Sequence, residues 1–359
     1  MRTPLLIAVL VQVPATALAH QTPAVLGAAG PAVDPLALVR LSHGLARRGD
    51  DGRYRYVCPA AWGGPERPPT AGGYVFGAGG VYRVTDDGPL ERTDSLTSVL
   101  VAGASEAGVF ATVRGEPSSV YRVDGSALEI YSHAGLLDGL AADADGVLVA
   151  GGEVGGGLIL VTIPNQGSTT TDRYAAGLDG AFVTPRRVGA SIWIRARGPA
   201  ETRVGRIEGD AVEWIVTSTS SLFGPDADPA QARIVHDGRL VALEQDVESV
   251  IDDTRRYTCL DRGFVCTLRA LYAVDDRGTP VFELDTVLPP DLSGVEDEVG
   301  CRAQWIDLKT EANLDGQIEL PAPEPEPMTG CTCTDAAHDA RWPWGLLVGL
   351  LALARKERS

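Results

Sequence analysis

The sequence predicts an all-β fold, and three observations predict it. A strand-and-turn pattern recurs along the chain at a spacing of about 40 residues, the signature of a repeat architecture. The chain holds 42 Gly and 24 Pro, enough to punctuate many turns. Between residues 70 and 290, no amphipathic helical period runs longer than a couple of turns.

The clearest pair of repeats is Gly80-Val81-Tyr82-Arg83-Val84 before Asp86-Asp87-Gly88, and Ser119-Val120-Tyr121-Arg122-Val123 before Asp124-Gly125. Weaker copies follow at Leu158–Thr162, Arg203–Ile207 and Ala270–Val274, and one precedes them at Gly44–Arg48. Each is an alternating strand that reaches a turn, in most copies an Asp/Gly one, and returns in a second strand such as Leu128–Tyr131 or Val212–Val216. Asp-Gly supplies the positive φ that tight hairpins need. Another alternating strand precedes several copies: Gly108–Val113, Gly146–Ala150, Ser191–Ile194 and Gly238–Leu243. Strand–strand–turn–strand units at this period predict a β-propeller over residues 35–310, with six or seven blades from six hairpin copies. A β-sandwich pair or a β-helix is the alternative.

The hairpin copies resemble degenerate BNR/Asp-box units, the repeats of sialidase-like and photosystem-assembly-factor-like propellers. The full box reads Ser-x-Asp-x-Gly-x-Thr-Trp. Here the Asp and Gly persist, while the Ser and Trp do not. The stretch from Gly44 to Cys58 keeps the pattern best, with Tyr54 where the repeat often carries an aromatic. The resemblance implies the propeller fold. A catalytic sialidase of that kind would need an arginine cluster, a Tyr nucleophile and a partnering Glu.

The two ends speak for export. Arg2, the apolar run Leu5–Val11 and the small-x-small pattern Ala17-Leu18-Ala19 form a three-part secretory signal over residues 1–19, with cleavage after Ala19. The Pro/Glu-rich stretch 316–330 lacks the apolar side chains and backbone donors of a core, and reads as an extended spacer. Gly330-Cys331-Thr332-Cys333 follows, then an apolar run from Trp342 to Ala354 and the basic close Arg355-Lys356-Glu357-Arg358. At roughly 1.5 Å per residue that run is short for a permanent span. Residues 331–359 resemble the MYXO-CTERM sorting tail of myxobacteria and their relatives. The resemblance implies removal by a sorting protease near Cys331, and display at the outer membrane or surface of a Gram-negative cell. A retained membrane anchor is the alternative. Contact with a membrane is then expected only through the two end segments.

The chain has a net charge of −17, and because each end adds one positive charge the body between them is more acidic still, which disfavours nucleic acid and anionic membrane surfaces. Lysine occurs only as Lys309 and Lys356, so nearly all basic charge is arginine.

Six cysteines in an exported chain point first to disulfides. Cys259 and Cys266 flank a short loop with Asp261-Arg262-Gly263 at its turn and read as a hairpin staple. Cys58 and Cys301 lie near the first and last repeats, where a bridge would latch a closed ring. Zinc is the rival, but His20, His43, His133, His236 and His338 sit singly, without ligand spacing. No metal or cofactor is expected.

No catalytic motif is complete. There is no Gly-x-Ser-x-Gly elbow, and Gly151–Gly157 lacks the Lys-Ser/Thr of a phosphate loop and reads as a hairpin turn. Asp143-Ala144-Asp145-Gly146 lacks the Glu that completes a calcium loop, and Asp226-Ala227-Asp228 reads as a turn. Arg186-Arg187 and Arg255-Arg256 read as solvated surface. The expectation is a non-catalytic binding or scaffold module whose partner is an extracellular protein or glycan. A sialidase-like glycoside hydrolase and a passive envelope component are the rivals. Arginines, a Tyr and a Glu converging at one mouth would favour the enzyme.

Overall fold

The computed structural model describes residues 24–314 apart from 64–66, 86–89, 154, 179, 227–230, 245–246, 291–296 and 313. The secretion signal with Ala19, the spacer, and the tail with Gly330, Cys331 and Cys333 lie outside the described residues.

The fold is all-β. Among the described residues, twenty-eight strands run in sequence order through seven antiparallel four-stranded meanders: residues 25–57, 70–94, 99–133, 139–175, 182–218, 222–252 and 259–283. The fourth and fifth meanders share one eight-stranded sheet, through a single parallel pairing of Ala175 with Ala211. The first strand, Val25–Ala28, starts ahead of the boundary at residue 35 read from the repeats.

The strands of all six repeat copies fall on the third strand of a meander, ahead of the fourth; the Asp86-Asp87-Gly88 turn of one copy lies outside the described residues. Gly80–Arg83 and Ser118–Asp124, the two tyrosine strands, pair forward with Glu91–Asp94 and Ser126–His133. The unrecognised copy is in the sixth meander. There Gly238–Leu243, read as a preceding strand, is the third strand Arg239–Glu244. Its Asp237-Gly238 turn joins the second strand to the third, one connection earlier than elsewhere, so the marker of the repeat is displaced.

Both faces of the inner strands are buried. In Gly146–Gly152, Val147 and Val149 pack toward the third meander, while Leu148 and Ala150 pack toward the fifth. Strand side chains alternate between faces, so a strand apolar at every position must be covered twice. The same logic recurs around the chain. Seven hydrophobic clusters each join two meanders, from first-with-second through sixth-with-seventh, and the last joins the seventh to the first. The leading strands pack side by side from the second meander to the seventh, and that of the seventh packs against Val25–Ala28. Between the first two meanders, the Gly73 N–H donates to the Ala29 carbonyl (3.3 Å).

One element was not expected, the helix α1 (Glu298–Glu311). Asp297 caps it, its Oδ1 accepting from the Gly300 N–H at 2.9 Å. Cys301, Trp305, Leu308 and Ala312 form its buried stripe at helical spacing. The stripe lies over the junction of the first and seventh meanders. Trp305 packs on Tyr56 with ring centroids 5.1 Å apart, and Lys309 Nζ, 4.5 Å from the Trp305 ring, donates to the Leu284 carbonyl. The Ser42 hydroxyl donates to Glu311 (2.8 Å). Cys58 and Cys301 stand at disulfide distance here, Cα to Cα 5.4 Å. Among the described residues, no helix is long and apolar enough to cross a membrane.

Candidate functional site

The leading strands of all seven meanders face one cavity of about 320 Å³. Its walls are mostly small or apolar, including Ala71, Ala102, Gly103, Ala141, Leu260 and Phe223. Into this apolar space project four arginines and one carboxylate: Arg40, Arg186, Arg195, Arg262 and Asp261.

Local structure explains how each gets there. Arg40 comes from the second strand of the first meander, Leu38–Leu41. Thr184 and Arg186, two residues apart on Phe182–Val188, share a face, and Arg195 pairs with Thr184 on the neighbouring strand and so points the same way. Asp261 and Arg262 sit at the tip of the hairpin Cys259–Asp261/Phe264–Cys266. Arg262 (φ 51°) and Gly263 (φ 78°) form its two-residue turn, the positive-φ pair of a type I′ hairpin. Glycine takes that backbone freely, whereas arginine there is strained. The strain is held from three sides. Cys259 and Cys266 stand at disulfide distance across the hairpin (Cα to Cα 4.9 Å), Asp226 accepts the Gly263 N–H (2.8 Å), and the Arg262 guanidinium donates to the Ala28 and Gly30 carbonyls.

Asp261 is the hub. Its Oδ1 is 2.7 Å from Arg186 Nη2; its Oδ2 is 3.5 Å from Arg40 Nη2 and 3.7 Å from Arg262 Nε. Burial works against its charge, but the three guanidiniums outweigh burial and hold the carboxyl below its usual range. Arg195 is different. Among the described residues nothing hydrogen-bonds its guanidinium, whose Cζ lies 5.8 Å from the Phe223 ring centroid, and its Nε is buried without a partner. Burial, then the like charges of Arg197 and Arg186, push it down to about 10. It remains protonated at neutral pH. The lining thus carries four positive charges against one negative, inside a chain of net charge −17.

The sequence reading of Arg186-Arg187 as solvated surface is corrected. Arg186 is a cavity residue, and Arg187 is half-buried between Asp143 (3.1 Å) and Asp145 (3.5 Å). Sequence spacing could not find this cluster, because its members lie on three meanders, 221 positions apart at the Arg40–Asp261 contact. The disulfided hairpin was the one local pointer. Arg255 does lie toward the surface, 4.8 Å over Tyr272. Asp143–Gly146 and Gly151–Gly157 occupy hairpin turns between paired strands, as read. Asp226 is buried on a strand, and Asp228 lies outside the described residues. Both expected cysteine pairs, Cys58 with Cys301 and Cys259 with Cys266, are brought together. Among the described residues, no three His, Cys, Asp or Glu side chains cluster as a metal site. No family model matches the chain, and no curated protein matches its sequence.

Proposed function

We propose that this chain is an exported, surface-displayed β-propeller of seven blades, each four-stranded meander being one blade, and that it acts as a binding module. One observation carries the reading: the leading strands of all seven meanders face a single cavity that is apolar in its walls and cationic in its centre. A propeller presents the inner strand of every blade to a common axis, where loops and side chains converge. Gathering four like charges around one carboxylate and partly withdrawing them from water opposes folding, so a passive envelope component has no physical use for such a centre. The sialidase-like rival draws support from the converging arginines. Against it, the lining holds no Tyr, Glu, His or Lys among the described residues, and the one carboxylate described there is tied to three guanidiniums. A general acid or base needs a free proton-transfer position within hydrogen-bond reach of the substrate.

Export rests on the secretory signal at residues 1–19 and on the tail beyond Gly330 that resembles a sorting domain. The test of the binding-module reading is a hydrolysis panel of sialosides and other glycosides with the purified protein. No turnover is expected. Turnover that disappears on substitution of one Tyr or Glu at either end of the cavity would replace the reading with the hydrolase.

A further inference from the structure

We infer that the cavity takes a small organic carboxylate, with Arg195 as the residue that engages its anionic head. The inference rests on the binding-module reading and deepens it by naming the ligand class.

The four arginines are not equivalent. Arg186 has its hydrogen bond to Asp261, Arg262 is committed to two backbone carbonyls and Asp261, and Arg40 leans on Asp261 and the Leu26 carbonyl. Arg195 has no such partner among the described residues and lies against the same cavity. Arg195 is only partly exposed and its Nε is buried, and a buried donor left without an acceptor is costly. Its surroundings return little for that cost: the like charges of Arg197 and Arg186 act on it more strongly than the opposite charge of Asp261, and its ring contact is with Phe223. A ligand oxyanion would offset it. A planar carboxylate matches the fork of a guanidinium and forms two parallel charge-assisted hydrogen bonds.

The ligand must be an anion, because the lining is cationic by three charges once Asp261 is subtracted from the four arginines. It must be small, because the cavity is about 320 Å³. It must carry an organic body, because Phe223, Leu260, Ala102 and Ala141 offer apolar contact that a bare inorganic ion cannot use. The acidic exterior has a consequence as well. It repels anions at long range, so binding should tighten as salt screens that field, until the salt anion itself competes.

The experiment is calorimetric titration of the full-length protein with benzoate, benzamide, acetate and sulfate in low-chloride buffer. Benzoate is expected to bind at one site per chain, and neutral benzamide, nearly the same shape, at least about tenfold more weakly. Arg195→Met should weaken benzoate by at least about tenfold while leaving the circular dichroism spectrum unchanged and the melting temperature of the ligand-free protein equal or higher. Asp261→Asn removes the one negative charge of the described lining and should strengthen benzoate by a few-fold. The inference is overturned if none of the four probes binds up to about 10 mM, if benzamide binds as well as benzoate, or if sulfate binds more tightly than benzoate. It is also overturned if R195M binds benzoate like the parent, or if R195M melts well below it, which would assign Arg195 to the fold. These failures leave the propeller and the absence of hydrolysis standing. Glycoside turnover would instead remove the binding-module reading and leave the R195M result to stand by itself.

Discussion

The bridge between Cys58 and Cys301 should be the strongest single covalent contribution to stability in this chain. The two cysteines are 243 positions apart, and joining them ties the first meander to the helix that follows the seventh. In the chain-entropy treatment, closing a loop of that length removes about 5 kcal/mol of freedom from the unfolded state at room temperature. The Cys259–Cys266 bridge spans only 7 positions and by the same relation contributes about 2.5 kcal/mol. The comparison between them is more informative than either value, because both bridges sit in buried surroundings and both can be replaced by paired alanines. Cys58→Ala/Cys301→Ala should lose about twice as much as Cys259→Ala/Cys266→Ala, since only the number of enclosed residues differs strongly. Guanidinium unfolding followed by tryptophan fluorescence measures both, with buried Trp305 reporting on the first–seventh junction and buried Trp62 on the first–second one. A latch variant that loses less than the staple variant would refute the loop-entropy reasoning. It would also mean that the first and seventh meanders stay neighbours in the unfolded chain or are held by packing alone. The packing at that junction is extensive, since Tyr54, Tyr56, Phe282, Trp305 and Leu308 share one core.

Two further outcomes are expected. Burial pushes the Asp138 carboxyl up to about 6, although its Oδ1 accepts the Val183 N–H. In the unfolded chain it ionises near 3.9, so the folded state holds a proton that the unfolded state has lost, and stability should fall by about 2–3 kcal/mol between about pH 4 and pH 6. Asp138→Asn keeps the acceptor and abolishes the titration. Its thermal melts should match the parent at about pH 4 and lie higher at about pH 7.5, and parallel pH profiles for the two proteins would contradict this. At the C-terminus, intact-mass measurement of surface protein from the native host should find nothing beyond about Cys333, because the tail resembles a removable sorting segment. A mass that includes Trp342 to Ser359 would leave a retained anchor.

What was legible in the sequence was local. Alternation at Gly108–Val113 or Ser118–Asp124 is written in consecutive residues, and the Asp-Gly turn marks the link from third strand to fourth, so the all-β character and six of the seven third strands could be read directly. The seventh escaped because Asp237-Gly238 serves the preceding connection. Cys259 and Cys266 pair across their own hairpin, and that too is a short-range fact. The helix Glu298–Glu311 carries its cap at Asp297 and its Cys301-Trp305-Leu308-Ala312 stripe in consecutive turns, but it lies beyond the last strand repeat and follows no part of that period. The arginine centre was a different matter. Arg40, Arg186, Arg195 and Arg262 look like any other arginines in a chain nearly without lysine, and their positions follow no period. They meet because Arg186 on a leading strand, Arg40 and Arg195 on second strands and Arg262 in a hairpin turn are all carried to the same space, and a strand directs alternate side chains to one face whatever their distance in sequence. Whether an arginine reaches open water or the half-buried Asp261 is settled by which meander lies beside it, and that neighbour is set by the packing of the chain from Val25 round to Glu283, not by any residue nearby.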